Sequence, residues 1–137
     1  MSLSAFPGDI KKERIIGKGS YGVVYLARKG NGEQIALKEI NLFQSDDEAT
    51  EIRKEIEMLL SCSSDYVVKY HGCITSNQKL WILMEYMDCG SSRDLSKLRI
   101  MDEPQIAVVL EQTLRALEFL HRRLKIHRDI KAANILI

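Results

Sequence analysis

Between Lys11 and Ile40 apolar positions alternate with polar ones or gather in short β-branched runs, as in "ERIIGKG", "GVVYLARK" and "EQIALKEI". A period of two places every second side chain on one face, so the three segments predict strands. "GNG" at Gly30 to Gly32 can supply positive φ between the second and third, which makes the set an antiparallel meander. The period then lengthens. Ser45 with Glu48 forms a capping-box signature, and Ala49, Ile52, Ile56, Leu59 and Leu60 recur at helical spacing. "YVVKYHGCIT" and "KLWILMEYM", parted by the polar "SNQ", are rich in β-branched and aromatic residues and predict a further hairpin. Near Met87 the pattern changes class. "DCGSSRDLSKL" predicts a loop entering a short helix, and Asp102 caps a long helix on which Ile106, Val109, Leu110, Thr113, Leu114, Leu117 and Leu120 form a stripe. The expected order is β-β-β-α-β-β followed by helices, an α+β chain divided into residues 1–86 and 87–137. No repeat or low-complexity stretch interrupts it.

Composition narrows the partners. The 137 residues suffice for one core, a domain or part of one, and are few for an enzyme that closes a cleft between two lobes. Lys and Arg number 20 against 19 Asp and Glu, and the basic residues are scattered, so no nucleic-acid footprint stands out. Cys62, Cys73 and Cys89 are odd in number and lack metal-ligand spacing, which indicates reduced thiols in a cytoplasmic protein. "MSLSAFPGDIKK" carries no secretory core, and nowhere do about 18 apolar residues run together, so no membrane partner is expected.

Three motifs carry chemistry. "GKGSYG", Gly17 to Gly22, matches GxGxxG, a spacing shared with dinucleotide sites. In those folds the third glycine opens a helix, whereas "VVYLA" after Gly22 reads as strand and no βαβ alternation follows. A glycine-rich hairpin can instead lay backbone amides over phosphates, although an ordinary bulged hairpin has the same spacing. In "IALKEI", alternation puts Ala36 and Lys38 on one face, where a lysine could reach into a cleft, or point to water if the strand is an edge. At about 100° per residue Glu55 lies on the flank of the helix's apolar face, Glu51 farther round and Glu57 toward solvent, so Glu55 is best placed to pair with Lys38, with Glu51 as competitor. "HRDIKAAN" gathers Asp129, Lys131 and Asn134: a carboxylate to accept a hydroxyl proton, a cation, and an amide carbonyl able to hold Mg²⁺. The competing reading is a solvated charged loop with His127 packed as a structural residue.

Glycine loop, strand lysine, helix glutamate and this loop, in that order, make the chain resemble the eukaryotic protein kinases. The resemblance implies a kinase-like fold: a five-stranded antiparallel small lobe with one helix (1–86), then the first helices and catalytic loop of an incomplete helical large lobe (87–137). It implies that Gly17, Gly19 and Gly22 cover the phosphates of ATP, that Val24 and Ala36 roof the adenine, and that Lys38 and Glu55 pair. Met84 becomes the gatekeeper, Glu85 to Met87 the adenine-binding hinge, and Leu136 the adenine floor. Asp129 would be the catalytic base, Lys131 an aid at the γ-phosphate, and Asn134 a ligand of Mg²⁺. Lys131 two places after Asp129 resembles serine/threonine rather than tyrosine kinases, and "LWILMEYMDCGSSRDL" with "IHRDIKAANILI" resembles the sterile-twenty, germinal-centre group.

The implied DFG aspartate, activation loop and APE segment do not occur up to Ile137. The 137 residues by themselves are therefore expected not to turn over, since no acceptor hydroxyl is positioned and the first metal is not held. The stripe from Ile106 to Leu120 is expected to stay exposed and available for self-association. The favoured reading is part of an ATP-dependent kinase acting on protein Ser/Thr; the alternative is a naturally short, kinase-derived module that binds nucleotide or a partner without catalysis.

Overall fold

The computed structural model describes residues 9–19, 22–41, 63–76 and 78–137. The expected helix from Ser45 to Leu60, with Glu51, Glu55 and Glu57, and Cys62 lie outside the described residues. The chain divides into two compact units, one of residues 1–63 with Lys69–Tyr86, the other of Ser64–Val68 with Met87–Ile137.

The first unit is built on a five-stranded antiparallel sheet of β1 (Ile10–Gly19), β2 (Gly22–Lys29), β3 (Gln34–Asn41), β4 (Tyr70–Ser76) and β5 (Lys79–Glu85), in the order β1-β2-β3-β5-β4. The meander and the later hairpin are as the alternation predicts. Gly32 turns β2 into β3 at φ +88°, and Gln78 takes φ +58° between β4 and β5. β4 starts later than the apolar run "YVVKYHGCIT" suggests. Ser64 accounts for this: its hydroxyl accepts from Tyr66 N–H and its carbonyl from Val67 N–H, a local turn that competes with ladder bonding.

Alternation sorts the sheet into two faces. Ala27, Ile35, Leu37, Ile74, Trp81 and Leu83 pack on one; Ile40, Leu80 and Ile82, with Tyr70, Cys73 and Met84 against them, pack on the other. Ile35, Leu37 and Ile82 are fully buried, each stabilising the fold by about 1.5–3 kcal/mol relative to exposure.

The second unit is helical. In α1 (Ser92–Leu98) Ser91 is the N-cap, its hydroxyl accepting from Asp94 N–H while the Asp94 carboxylate accepts from Ser91 N–H. In α2 (Glu103–Arg122) Asp102 and Gln105 form the same reciprocal cap, and Pro104 fits the first turn, where its missing N–H costs nothing. His121 and Arg122 in the last turn complement the helix dipole. Leu120 is buried and Val109, Thr113 and Leu117 half-buried, whereas Ile106, Leu110 and Leu114 are 41%, 54% and 65% exposed. The expected stripe thus splits lengthwise into a packed row and a bare one. An isolated antiparallel bridge pairs Ser91 with Leu136. No described helix is long and apolar enough to cross a membrane.

Candidate active site

In the first unit the glycines differ in what they are for. Gly22 has φ +144°, and a Cβ there would overlap the Glu39 carbonyl oxygen, so β2 can lie against β3 only because this position is glycine. Gly17 faces Val24 with room for an ordinary contact, and among the described residues nothing lies within 4 Å of the Cβ position at Gly19.

Register then gathers the other predicted residues. Val24, Lys38 and Ile82 are cross-strand partners, as are Leu26, Ala36 and Met84, and both rows share the face opposite Leu37. Gly17 pairs with Val24 at the end of the first row. β3 lies between β2 and β5, so Lys38 is no edge-strand lysine. It emerges half-buried among Val24, Ala36 and Met84, and Ala36, 7% exposed, keeps that surface flat. Glu85 N–H donates to Lys69 C=O at 2.9 Å, and its carboxylate accepts from Lys69 N–H at 3.2 Å. The partner expected for Lys38, Glu55, lies outside the described residues.

In the second unit α2 delivers the chain to Asp129 through left-handed backbone at Leu124 (φ +57°) and Arg128 (φ +66°). Left-handed geometry at Arg128 is uncommon without glycine, and it sharply reverses the chain beside the carboxylate. His127 Nδ1 accepts from Asp129 N–H at 3.2 Å. The Asn134 amide donates to both Asp129 C=O (2.8 Å) and Asp129 Oδ2 (2.9 Å), and the Lys131 ammonium meets the same Oδ2 at 2.8 Å. A 3₁₀ turn, Ala132–Asn134, brings Asn134 back to the aspartate. Asp129, Lys131 and Asn134 thus form one hydrogen-bonded cluster, and all three side chains are exposed. The bond from Lys131, and next that from Asn134, hold the Asp129 carboxyl below the usual aspartate range against a smaller desolvation effect. At neutral pH Asp129 is a carboxylate able to accept a proton.

The fit to a divalent cation is partial. With its NH₂ turned to Asp129, the Asn134 amide directs its carbonyl oxygen, a suitable hard-cation ligand, the other way. Among the described residues no cluster of three His, Cys, Asp or Glu side chains completes a cage. Magnesium tolerates so sparse a protein donor set when phosphate oxygens and water fill the other positions.

At the start of the second unit Met87 C=O accepts from Gly90 N–H at 3.4 Å, and no partner for Met87 N–H is found among the described residues. Leu136 is held by its bridge to Ser91, flanked by bonds from Ser92 N–H to Ile135 C=O and from Ile137 N–H to Gly90 C=O. The reasoning from sequence missed this bridge and the His127 contact; neither leaves a periodic signal.

Phosphoryl transfer asks for open backbone and a cation at the phosphates, a carboxylate at the attacking hydroxyl, and a ligand for the metal. Residues of each kind occur in these units, and the class so defined is the protein kinase domain. Comparison with known proteins agrees: the protein kinase domain family matches residues 10–137, and the chain belongs to that family. A curated relative, Serine/threonine-protein kinase sid1 of Schizosaccharomyces pombe (strain 972 / ATCC 24843), is 46% identical over 125 residues, covering 90% of this chain and 26% of that protein. The chain therefore spans about a quarter of that relative's length.

Proposed function

We propose that the protein carrying this chain transfers the γ-phosphoryl group of ATP to serine or threonine hydroxyls of other proteins. The Asp129–Lys131–Asn134 cluster carries the proposal: it joins a proton acceptor, a cation and a metal-ligand oxygen within hydrogen-bond distance. In this reading Gly17, Gly19 and Gly22 admit the phosphates to the β1–β2 backbone, and Lys38, paired with Glu55, neutralises phosphate oxygens. Val24, Ala36 and Met84 of the first unit face the adenine and the backbone of Glu85 reads its edge; the second unit offers Leu136 and the Met87 backbone for the same roles. Asp129 orients the acceptor hydroxyl and takes its proton, Lys131 stabilises charge on the moving group, and Asn134 offers its carbonyl oxygen to Mg²⁺. Bound Mg²⁺ supplies charge neutralisation between the phosphates. The serine/threonine class is supported by Lys131 following Asp129 by two places and by the relative's own name, and the sterile-twenty group by the segments "LWILMEYMDCGSSRDL" and "IHRDIKAANILI". The free thiols Cys73 and Cys89 support a cytoplasmic setting.

The test uses full-length protein, Mg²⁺-ATP and dephosphorylated casein. Phosphate should appear on Ser or Thr, and Asp129→Asn should cut kcat by roughly 10²–10⁴-fold while the Kd for ATP changes by less than about threefold. Nucleotide binding without turnover in the wild type would instead favour a kinase-derived binding module.

A further inference from the structure

The sheet face opposite Lys38 holds a charged cluster for which the proposed chemistry has no use. β1 pairs with β2, yet the Lys12 ammonium reaches over Tyr25 of β2 to the Glu39 carboxylate of β3 at 2.9 Å. It stands 3.6 Å from the Trp81 ring centre and 4.6 Å from that of Tyr25. Lys79 of β5 meets the other Glu39 oxygen at 2.6 Å. The Glu39 side chain is 12% exposed. A cation held by two aromatic faces and a half-sheltered carboxylate is fixed far better than a surface ion pair, whose attraction water and salt dissipate.

Glu39 also follows Lys38 directly, and its carbonyl oxygen is the atom against which Gly22 packs. One residue therefore contacts both strands of the glycine hairpin, β2 beside the turn through backbone at Gly22 and β1 near its far end through Lys12. β1 needs an anchor, because its ladder to β2 slips between Lys12 and Arg14 and again between Ile15 and Gly17. Each slip leaves a residue unpaired and bends the strand.

We propose that Lys12 and Glu39 are positioning residues for phosphate binding: their clamp holds the glycine hairpin at a fixed height over Lys38. This rests on the reading of Gly17, Gly19 and Lys38 as the phosphate site. A clamp of this kind acts on the phosphate end of the nucleotide and leaves the adenine end alone, whereas a mere staple of the sheet would distinguish neither.

The experiment compares the affinities of Mg²⁺-ATP and of adenosine, by titration calorimetry, for full-length wild type, Lys12→Met, Lys12→Arg and Lys38→Met, with the Tm of each. Lys12→Met should weaken ATP by roughly 5–20-fold and adenosine by less than about twofold, and Lys12→Arg, which keeps the cation over the rings, should recover most of the loss. An ATP-to-adenosine ratio unchanged in Lys12→Met but lowered in Lys38→Met would overturn the clamp alone. A ratio unchanged in both would overturn the phosphate-site reading and the clamp with it. Should Lys12→Met fail to fold, Glu39→Gln, which keeps shape and one acceptor, is judged by the same ratio.

Discussion

Gly19 and Gly22 stand three residues apart in one hairpin for opposite reasons. At Gly22 any side chain would strike the Glu39 carbonyl, on backbone that L-residues rarely adopt, whereas at Gly19 a Cβ meets none of the described residues within 4 Å. Gly22→Ala should therefore destabilise the protein by about 2 kcal/mol or more and Gly19→Ala by less than about 1 kcal/mol, as read from thermal unfolding. Loss of nucleotide affinity in Gly19→Ala then reports on phosphate approach rather than on folding. At Asp129 the largest influence is the hydrogen bond from Lys131, which lowers the carboxyl pKa. Lys131→Met should move its titration back up toward the ordinary aspartate value, a shift visible in carboxyl carbon NMR; an unmoved titration would show that the Lys131 contact does not form in solution. At this scale alternation made the face of Lys38 legible, since neighbouring strands hold it in register. The left-handed turn at Arg128 was not legible, because arginine carries no local preference for it and the surrounding loop imposes it.

Elements were legible where their signal was local. The Asp102 cap and the glycine turn at Gly32 follow from side-chain chemistry within a few residues, and both stand as expected. The start of β4 was misjudged because the Ser64 hydroxyl and carbonyl hold Tyr66 and Val67 in a turn. The Lys12–Glu39–Lys79 cluster was illegible for another reason: it joins strands far apart in sequence, and the bulges of β1 set its reach. It also predicts a pH response. Burial pushes the Glu39 carboxyl up, but the bonds from Lys79 and Lys12 together outweigh it and hold its folded pKa below the ordinary value. A lowered carboxylate pKa contributes stability that is full above the unfolded value and is lost as pH falls through the folded one. Urea midpoints should thus drop between pH 5 and lower pH more steeply in wild type than in Glu39→Gln; equal slopes would remove Glu39 from the account.

For the molecule as a whole, the bare row of Ile106, Leu110 and Leu114 is a departure from a sealed surface, and the apolar periodicity of α2 anticipated it. In the isolated 137-residue chain Leu114→Glu, on the most exposed of the three, should reduce self-association, measured by sedimentation velocity, with little change in helicity. Association that persists in the variant would assign the contact elsewhere. A different whole-molecule property follows from the bridge between Ser91 and Leu136. With Cys89 bonded to Ile137, Ile137 to Gly90 and Ser92 to Ile135, the segment holding α1, α2 and the Asp129 loop is drawn shut at its base like a purse string. A pull on Ile137 is passed sideways into Gly90 and Cys89 before it can travel back along the chain to Asn134. The clasp is a mechanical strain relief: displacement at Ile137 is met by these backbone bonds before it reaches the contacts around Asp129.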